Sequence, residues 1–167
     1  MKAHYGYDAP GIMRGLTLGG GGAVLVAGAL GAGLRLPGWG LAACALLGVA
    51  GAVPLGLGLA MAAYGRWGKM RMRNRMLDLV PWTGREQVLD VGTGAGLLLV
   101  GAAKRAPDGR AVGIDIWAAK DLSGNGPDVA GRNAMVEGVA DRVEVLTADA
   151  RHIPFPDGSF DRVLSLL

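Results

Sequence analysis

Residues 86–96 read EQVLDVGTGAG, and the fold is decided by how this stretch is understood. Gln87–Val91, QVLDV, is a short apolar run of strand type. The GTGAG that follows is a turn, and Leu97–Ala106, LLLVGAAKRA, is a helix closed by PDG. Working outward, RAVGIDI (110–116) is a second strand. A helix is expected around Asp128–Gly138, with Pro127 at its start and Gly138 at its end. DRVEVLTAD (141–149) reads as a third strand and FDRVLSLL (160–167) as a fourth. Strands alternating with helices imply an α/β fold of Rossmann-like type, a parallel sheet with crossover helices.

A loop between a strand and a helix turns backbone N–H groups and the positive end of the helix dipole toward a ligand. Glycines at 92, 94 and 96 allow close approach and supply positive φ where it is needed. By itself the pattern marks only a nucleotide-type site, because NAD, FAD and other binders share it. The surroundings narrow the reading. Asp90 stands two residues before Gly92, and the spacing is G-x-G-x-G rather than the G-x-G-x-x-G of a dinucleotide site. A carboxylate at the mouth of the loop would serve a pyrophosphate poorly and a cationic ligand well. Asp115 ends the second strand, 25 residues after Asp90, where an acidic side chain can accept both ribose hydroxyls. Asp149 ends the third strand, placed for an adenine edge. Three carboxylates at consecutive strand ends fit an adenosyl ligand that carries a positive charge and no phosphate. The competing reading of Asp90 and Asp115 is a strand-end cap or a surface charge.

With HIPFPDGSFDRVLS at 152–165, the chain from about Arg73 to Leu167 resembles the class I S-adenosylmethionine-dependent methyltransferases, in particular the type 11-like group with an LPFPD-SFD signature. The resemblance implies S-adenosylmethionine as cofactor and a sheet ordered 3-2-1-4 over its first four strands. It implies that Asp90, Gly92, Thr93, Gly94 and Gly96 form the methionine-side loop. Asp115 would bind the ribose, with Ile116 flanking the adenine. Asp149 and Ala150 would bind the adenine edge, and Ser165 would face the methionine or the acceptor. The family sheet has seven strands, of which this sequence supplies four. The fourth is then expected to be a bare apolar edge, with Val163, Leu164, Leu166 and Leu167 uncovered. On that basis the chain reads as a C-terminally truncated methyltransferase carrying the donor half-site, without the acceptor half.

The first 65 residues have a different character. Leu16–Leu34 and Leu36–Gly65 contain no charged residue, and only Arg35 separates them. Each exceeds or approaches the ~20 apolar residues that cross a hydrocarbon core as a helix. A cleaved signal peptide would not be followed at once by a second apolar span, and buried helices of soluble proteins are shorter and more interrupted. A two-helix membrane hairpin is expected, with helices about 16–34 and 38–64. Trp39, Tyr64 and Trp67 lie at the ends of the second span and Pro54 in its middle. Gly15 and Gly19, four residues apart, suggest close packing of the two spans on each other.

Charge sets the expected orientation. Residues 66–85 hold Arg66, Lys69, Arg71, Arg73, Arg75 and Arg85 against Asp78, whereas residues 86–167 are net acidic. The formal charge of +3 is therefore a juxtamembrane excess rather than a nucleic-acid footprint. Positive flanks stay cytoplasmic, which puts both termini and the 86–167 domain on that side. The basic segment is expected as a linker helix over 66–85, with an apolar stripe of Met72, Met76 and Leu79 against the following domain. One cysteine, Cys44, leaves no disulfide and no cysteine metal pair, and neither a metal nor a nucleic-acid partner is expected.

Three functions follow as expectations. The first is a membrane-anchored methyltransferase acting on an unidentified, membrane-associated or lipid-like acceptor, with the bilayer as its other partner. The second is a non-catalytic, membrane-tethered module that binds an adenosyl ligand. The third, a nicotinamide oxidoreductase fragment, is disfavoured by the loop spacing. No catalytic residue is assigned. His152 reads as a polar loop residue, and Phe155 and Phe160 read as core.

Overall fold

The computed structural model describes residues 3–6, 9–117 and 126–166. The long connection that follows the second predicted strand, Trp117 with AAKDLSGNG, reads in the sequence either as a cover over the adenosyl pocket or as a surface loop. Its residues 118–125 lie outside the described residues, as does Leu167. The chain forms two compact units, one of Tyr7–Arg66 and one of Met1–Gly6 with Trp67–Leu167.

The first unit is a pair of helices, α1 (Pro10–Gly33) and α2 (Gly38–Ala63). Pro10 opens α1, where its missing N–H costs nothing. Pro54 sits inside α2 without ending it. Both helices are long and apolar enough to cross a membrane, and side chains such as Leu18, Leu25 and Leu46 point outward. The contact between the helices runs through Gly20, Gly51 and Gly58. A Cβ on Gly20 would lie 2.5 Å from the Leu55 nitrogen, and one on Gly51 would lie 2.7 Å from the Gly20 oxygen. Gly15 and Gly19, expected at this contact, meet nothing within 4 Å. A one-residue offset turns a helix position by about 100°, so the stripe through Gly20 faces α2 and the one through Gly19 does not.

After a π-helical turn at Tyr64–Gly68, α3 spans Lys69–Leu77. Its buried face is Lys69, Arg73 and Leu77, with Met76 partly buried against the core. This corrects the expected Met72–Met76–Leu79 stripe, since Met72 and Leu79 are exposed. The long stems of Lys69 and Arg73 do the packing that apolar residues were expected to do. Gly101 on the neighbouring helix leaves room for them: a Cβ there would sit 2.7 Å from Arg73 Cδ and 2.6 Å from Leu77 Cδ1.

The second unit is built on β1 (Gln87–Val91), α4 (Leu97–Arg105), β2 (Arg110–Asp115), α5 (Pro127–Val136), β3 (Val143–Thr147) and β4 (Arg162–Ser165). The sheet is parallel in the order β3-β2-β1-β4. Central β1 and β2 are apolar on both faces, as strands covered on both sides must be. One face, with Val88, Ala111 and Val145, packs on Leu98, Leu99 and Ala102 of α4 and Ala134 of α5. The other face, with Leu89, Val112 and Ile114, is met by Phe155 and Phe160, whose rings form an edge-to-face pair 5.0 Å apart. Of the residues expected bare on β4, Val163 and Leu166 are exposed. Leu164 instead packs on the helix-covered core, because alternation along the strand turns it to the face that α4 and α5 cover.

Candidate functional site

In an open parallel sheet, ligands settle at the carboxyl ends of the strands, where strand order reverses. Here the reversal lies between β1 and β4. Register aligns Val91 with both Ile114 and Ser165, and Asp115 with Thr147 one step further on. The glycine loop leaves β1 at this level.

The loop is held from beneath. Asp90, the last but one residue of β1, is only 2% exposed. Its Oδ2 accepts from Thr93 Oγ1 at 2.8 Å and from the Leu99 N–H at 3.0 Å. The carboxylate thus ties the loop's second residue to the first turn of α4. Burial raises its pKa to about 6, against the lowering effect of the two hydrogen bonds, and the nearby Asp115 adds to the rise. Gly113 on β2 makes this possible, since a Cβ there would come within 2.7 Å of Thr93 Oγ1.

Above that floor the backbone is shaped by positive φ at Gly92 (74°), Gly94 (51°) and Gly96 (82°). The Gly92 and Thr93 N–H groups both donate to the Ile114 carbonyl, at 2.9 and 3.1 Å. Gly92 is exposed, and a Cβ there would meet nothing within 4 Å. Open space over a left-handed glycine is a cradle that a ligand can enter.

Asp115 stands beside this cradle. Its Oδ2 accepts from the Gly94 N–H at 2.8 Å and its Oδ1 from the Trp117 N–H at 2.7 Å. Each oxygen keeps a further acceptor position, which is what a vicinal diol requires. Ile116, the next residue, is 60% exposed and offers the apolar surface that a purine face would cover. Trp117 has a φ of 57°, and its indole N–H donates to Thr147 Oγ1 at 2.8 Å, tying the end of β2 to β3.

Asp149 follows β3 and is engaged by Arg151, whose Nη2 lies 2.5 Å from its Oδ2. That pairing holds the Asp149 carboxyl down at about 2. Ala150 and Ser165 are exposed, and so is His152. Of the residues singled out in the sequence, the buried Gly94 is tied through its N–H to Asp115, and Gly92, half-buried Asp115 and Ile116 line one open rim. Asp90 and Thr93 lie beneath it, and Gly96 is buried against Ala130, 3.2 Å from where its Cβ would be.

The sequence reading missed Gly113 and Asn133. The second is 4% exposed on α5, and its amide N–H donates to the Ala95 carbonyl of the loop at 2.9 Å. A polar, weakly helix-forming residue in the middle of a short helix was the available signal.

The arrangement fits the adenosyl ligand expected from the sequence: an open left-handed glycine cradle, a carboxylate with free acceptor capacity for a diol, and an exposed apolar side chain next to it. Among the described residues no cluster of three or more metal-ligating side chains occurs.

Residues 88–167 match the family described as "Methyltransferase domain". A demethylmenaquinone methyltransferase from Thermus thermophilus is 38% identical over 94 residues, 56% of this chain and 39% of that protein. A release factor glutamine methyltransferase from Chlorobaculum tepidum is 40% identical over 81 residues, 47% of this chain and 26% of that protein. Among solved structures, an RNA methyltransferase from Salinibacter ruber in complex with S-adenosyl-L-homocysteine is 31% identical. It superposes with a TM-score of 0.46 over 58% of each chain. The chain spans well under half the length of the curated relatives it matches.

Proposed function

We propose that residues 88–167, which match the methyltransferase domain family, are the donor-binding domain of a membrane-anchored, S-adenosylmethionine-dependent enzyme of class I that methylates a lipid-like acceptor of the quinone class. The observation that carries the donor half is the rim formed by Gly92, Asp115 and Ile116 at neighbouring strand ends, with the Gly94 N–H fixing the Asp115 carboxylate.

When bound, S-adenosylmethionine supplies an electrophilic methyl group on a sulfonium. Everything else falls to the chain's own residues. Asp115 takes the ribose hydroxyls with the acceptor positions that Gly94 and Trp117 leave. Ile116 covers one adenine face, and Ala150 and Asp149 lie toward the adenine edge. Gly92 lets the backbone approach the methionine end. Asp90 does not reach the ligand; it positions the loop through Thr93 and Leu99 and places negative charge beneath a cationic donor. Ser165 stands at the switch point on β4, toward the methyl group and its acceptor. In-line displacement at a sulfonium asks mainly for alignment and exclusion of water, so a base is needed only where the acceptor must lose a proton.

Two features support the membrane and acceptor parts of the reading. The apolar helices α1 and α2 have the length and composition of spans, and the six cations between Arg66 and Arg85 favour a cytoplasmic position for both flanks. Three of the curated relatives are named as demethylmenaquinone methyltransferases, which supports an acceptor of the quinone class.

The test has two steps. Calorimetric titration of the detergent-solubilised chain with S-adenosylhomocysteine should show binding that Asp115→Ala abolishes. Transfer of labelled methyl to a demethylated menaquinone should then follow for the protein reconstituted in vesicles. Donor binding that survives Asp115→Ala would sink the donor assignment, and methylation of a soluble acceptor in preference to the quinone would sink the acceptor class.

A further inference from the structure

The N-terminal residues Ala3–Gly6 lie against the methyltransferase domain, ahead in sequence of both apolar helices. His4 and Asn133 form a reciprocal pair: the His4 N–H donates to Asn133 Oδ1, and Asn133 Nδ2 donates to the His4 carbonyl, each at 2.9 Å. The same Nδ2 donates to the Ala95 carbonyl at 2.9 Å. Ala95 is the residue between Gly94 and Gly96 at the crown of the glycine loop. A second tether lies one residue on. Tyr5 is buried, and its hydroxyl donates to Glu137 Oε1. Glu137 is held in turn by Lys104 Nζ at 2.5 Å, with Arg73 Nη1 at 3.7 Å. The Glu137 carboxyl lies below its usual range despite burial that opposes this, because Lys104, Tyr5 and Arg73 outweigh it. Lys69 Nζ donates to the Gly6 carbonyl at 3.3 Å, a third hold on the same four residues.

We infer that Ala3–Gly6 is a strap that sets the position of the donor loop, and that Asn133 is the positioning residue through which it acts. The loop's polar ties to the sheet lie on its other side. Its Asp115 side is held by the bonds of Gly92, Thr93 and Gly94 to β2, and its floor by Asp90. On the α5 side, Gly96 is close-packed on Ala130, and the Asn133 amide adds a polar hold on the crown. An Asn side chain with both ends occupied cannot rotate without breaking a buried hydrogen bond. The strap therefore locks the amide in the orientation that grips Ala95. Without the strap, Asn133 Oδ1 loses a buried donor and the amide is free to turn. The consequence for function rests on the reading of the loop as the donor site; the positioning itself does not.

The experiment uses the full chain in detergent and reads amide hydrogen exchange together with S-adenosylhomocysteine affinity. Three variants are compared with the parent. His4→Pro removes the N–H that Asn133 accepts, Asn133→Ala removes the bridge, and deletion of Lys2–Gly6 removes the strap. The expected result is about tenfold faster exchange across Gly92–Leu98, matching the loss of one buried hydrogen bond. Exchange at Val112–Ile114 should stay at the parental rate, and ligand affinity should fall by a similar factor. Parental exchange at Gly92–Leu98 in both His4→Pro and the deletion would overturn the strap. If Asn133→Ala speeds exchange at Val112–Ile114 as well, the fold has been lost in that variant, and the other two decide. A parent that binds no S-adenosylhomocysteine would refute the donor reading alone, because the exchange measurement still decides the strap.

Discussion

Thr93 Oγ1 donates to Asp90 Oδ2 at 2.8 Å inside the protein, with both residues buried. The glycine loop is thus closed on its own strand by the chain's own side chains. The cost of that closure is a carboxylate out of water, its pKa raised to about 6 from 3.8. The sign follows from the direction. A carboxyl with a raised folded pKa keeps its proton longer in the folded state, so stability falls as pH rises from 4 to 6 and levels off above. Asp90→Asn should remove this slope and, at pH 7, stabilise the domain by on the order of 2 kcal/mol. It should also weaken S-adenosylmethionine binding, because the sulfonium loses the negative charge beneath it, and in the parent that affinity should fall as pH drops below 6. Chemical denaturation across pH 4–8 checks the first part. A variant less stable than the parent at pH 7 would refute it.

Gly113 is the second support of the same pair. Gly113→Ala places a methyl within 2.9 Å of Thr93 Oγ1, Thr93 Cβ and Leu99 Cδ2. Overpacking of this kind costs about 1–3 kcal/mol, and here it pushes Thr93 off Asp90. Gly131 on α5 has nothing within 4 Å of its Cβ position, so Gly131→Ala should be neutral or stabilising by up to about 1 kcal/mol. Thermal melts and calorimetry on both variants test the contrast. Equal donor affinity in Gly113→Ala and the parent would show that Thr93 tolerates displacement.

Much of this was legible because parallel central strands bury both faces. β1, β2 and β3 read as apolar runs between glycine turns, and the strand-end place of Asp115 follows from that, whereas their order in the sheet was implied only by the family resemblance. Three things were not legible. The buried face of α3 uses Lys69 and Arg73, and apolar periodicity cannot register a face packed by the stems of charged residues. The contact glycines of α1 were hidden by composition, since in a run as glycine-rich as GLTLGGGGAVL several spacings occur at once. The His4–Asn133–Ala95 connection joins residues more than a hundred positions apart and leaves no local pattern.

Glu86 governs the entry to β1. Its carboxylate accepts from the Thr83 N–H, from Thr83 Oγ1 at 3.0 Å and from the Gly84 N–H at 3.0 Å. The Thr83 backbone bond is the largest of the effects that hold its pKa down to about 2. A lowered carboxyl contributes stability that is present above its unfolded value of 4.5 and is lost as pH falls toward 2. Glu86→Gln should therefore cost about 1–2 kcal/mol at pH 7, with the gap to the parent closing between pH 4.5 and pH 2. A gap that stays constant over that range would mean the turn depends on shape rather than charge.

The helix pair offers a test through its single cysteine. The Cβ position of Gly31 on α1 lies 3.9 Å from Cys44 Cβ on α2, within the ~3.5–4.5 Å that a disulfide spans. Gly31→Cys should therefore oxidise to an α1–α2 cross-link in the detergent-solubilised chain, seen as a faster-migrating band that reductant reverses. In that background Gly51→Ala should lower the rate of cross-linking. Its methyl would come 2.7 Å from the Gly20 oxygen and 2.8 Å from Ala23 Cβ, and backbone at such a contact cannot yield without moving the helix. Gly19→Ala, with open space around it, should leave the rate unchanged. Cross-linking slowed equally by both would mean that the contact runs along the Gly15–Gly19 stripe instead. Cross-linking slowed by neither would mean that the helices do not pack through Gly20 and Gly51.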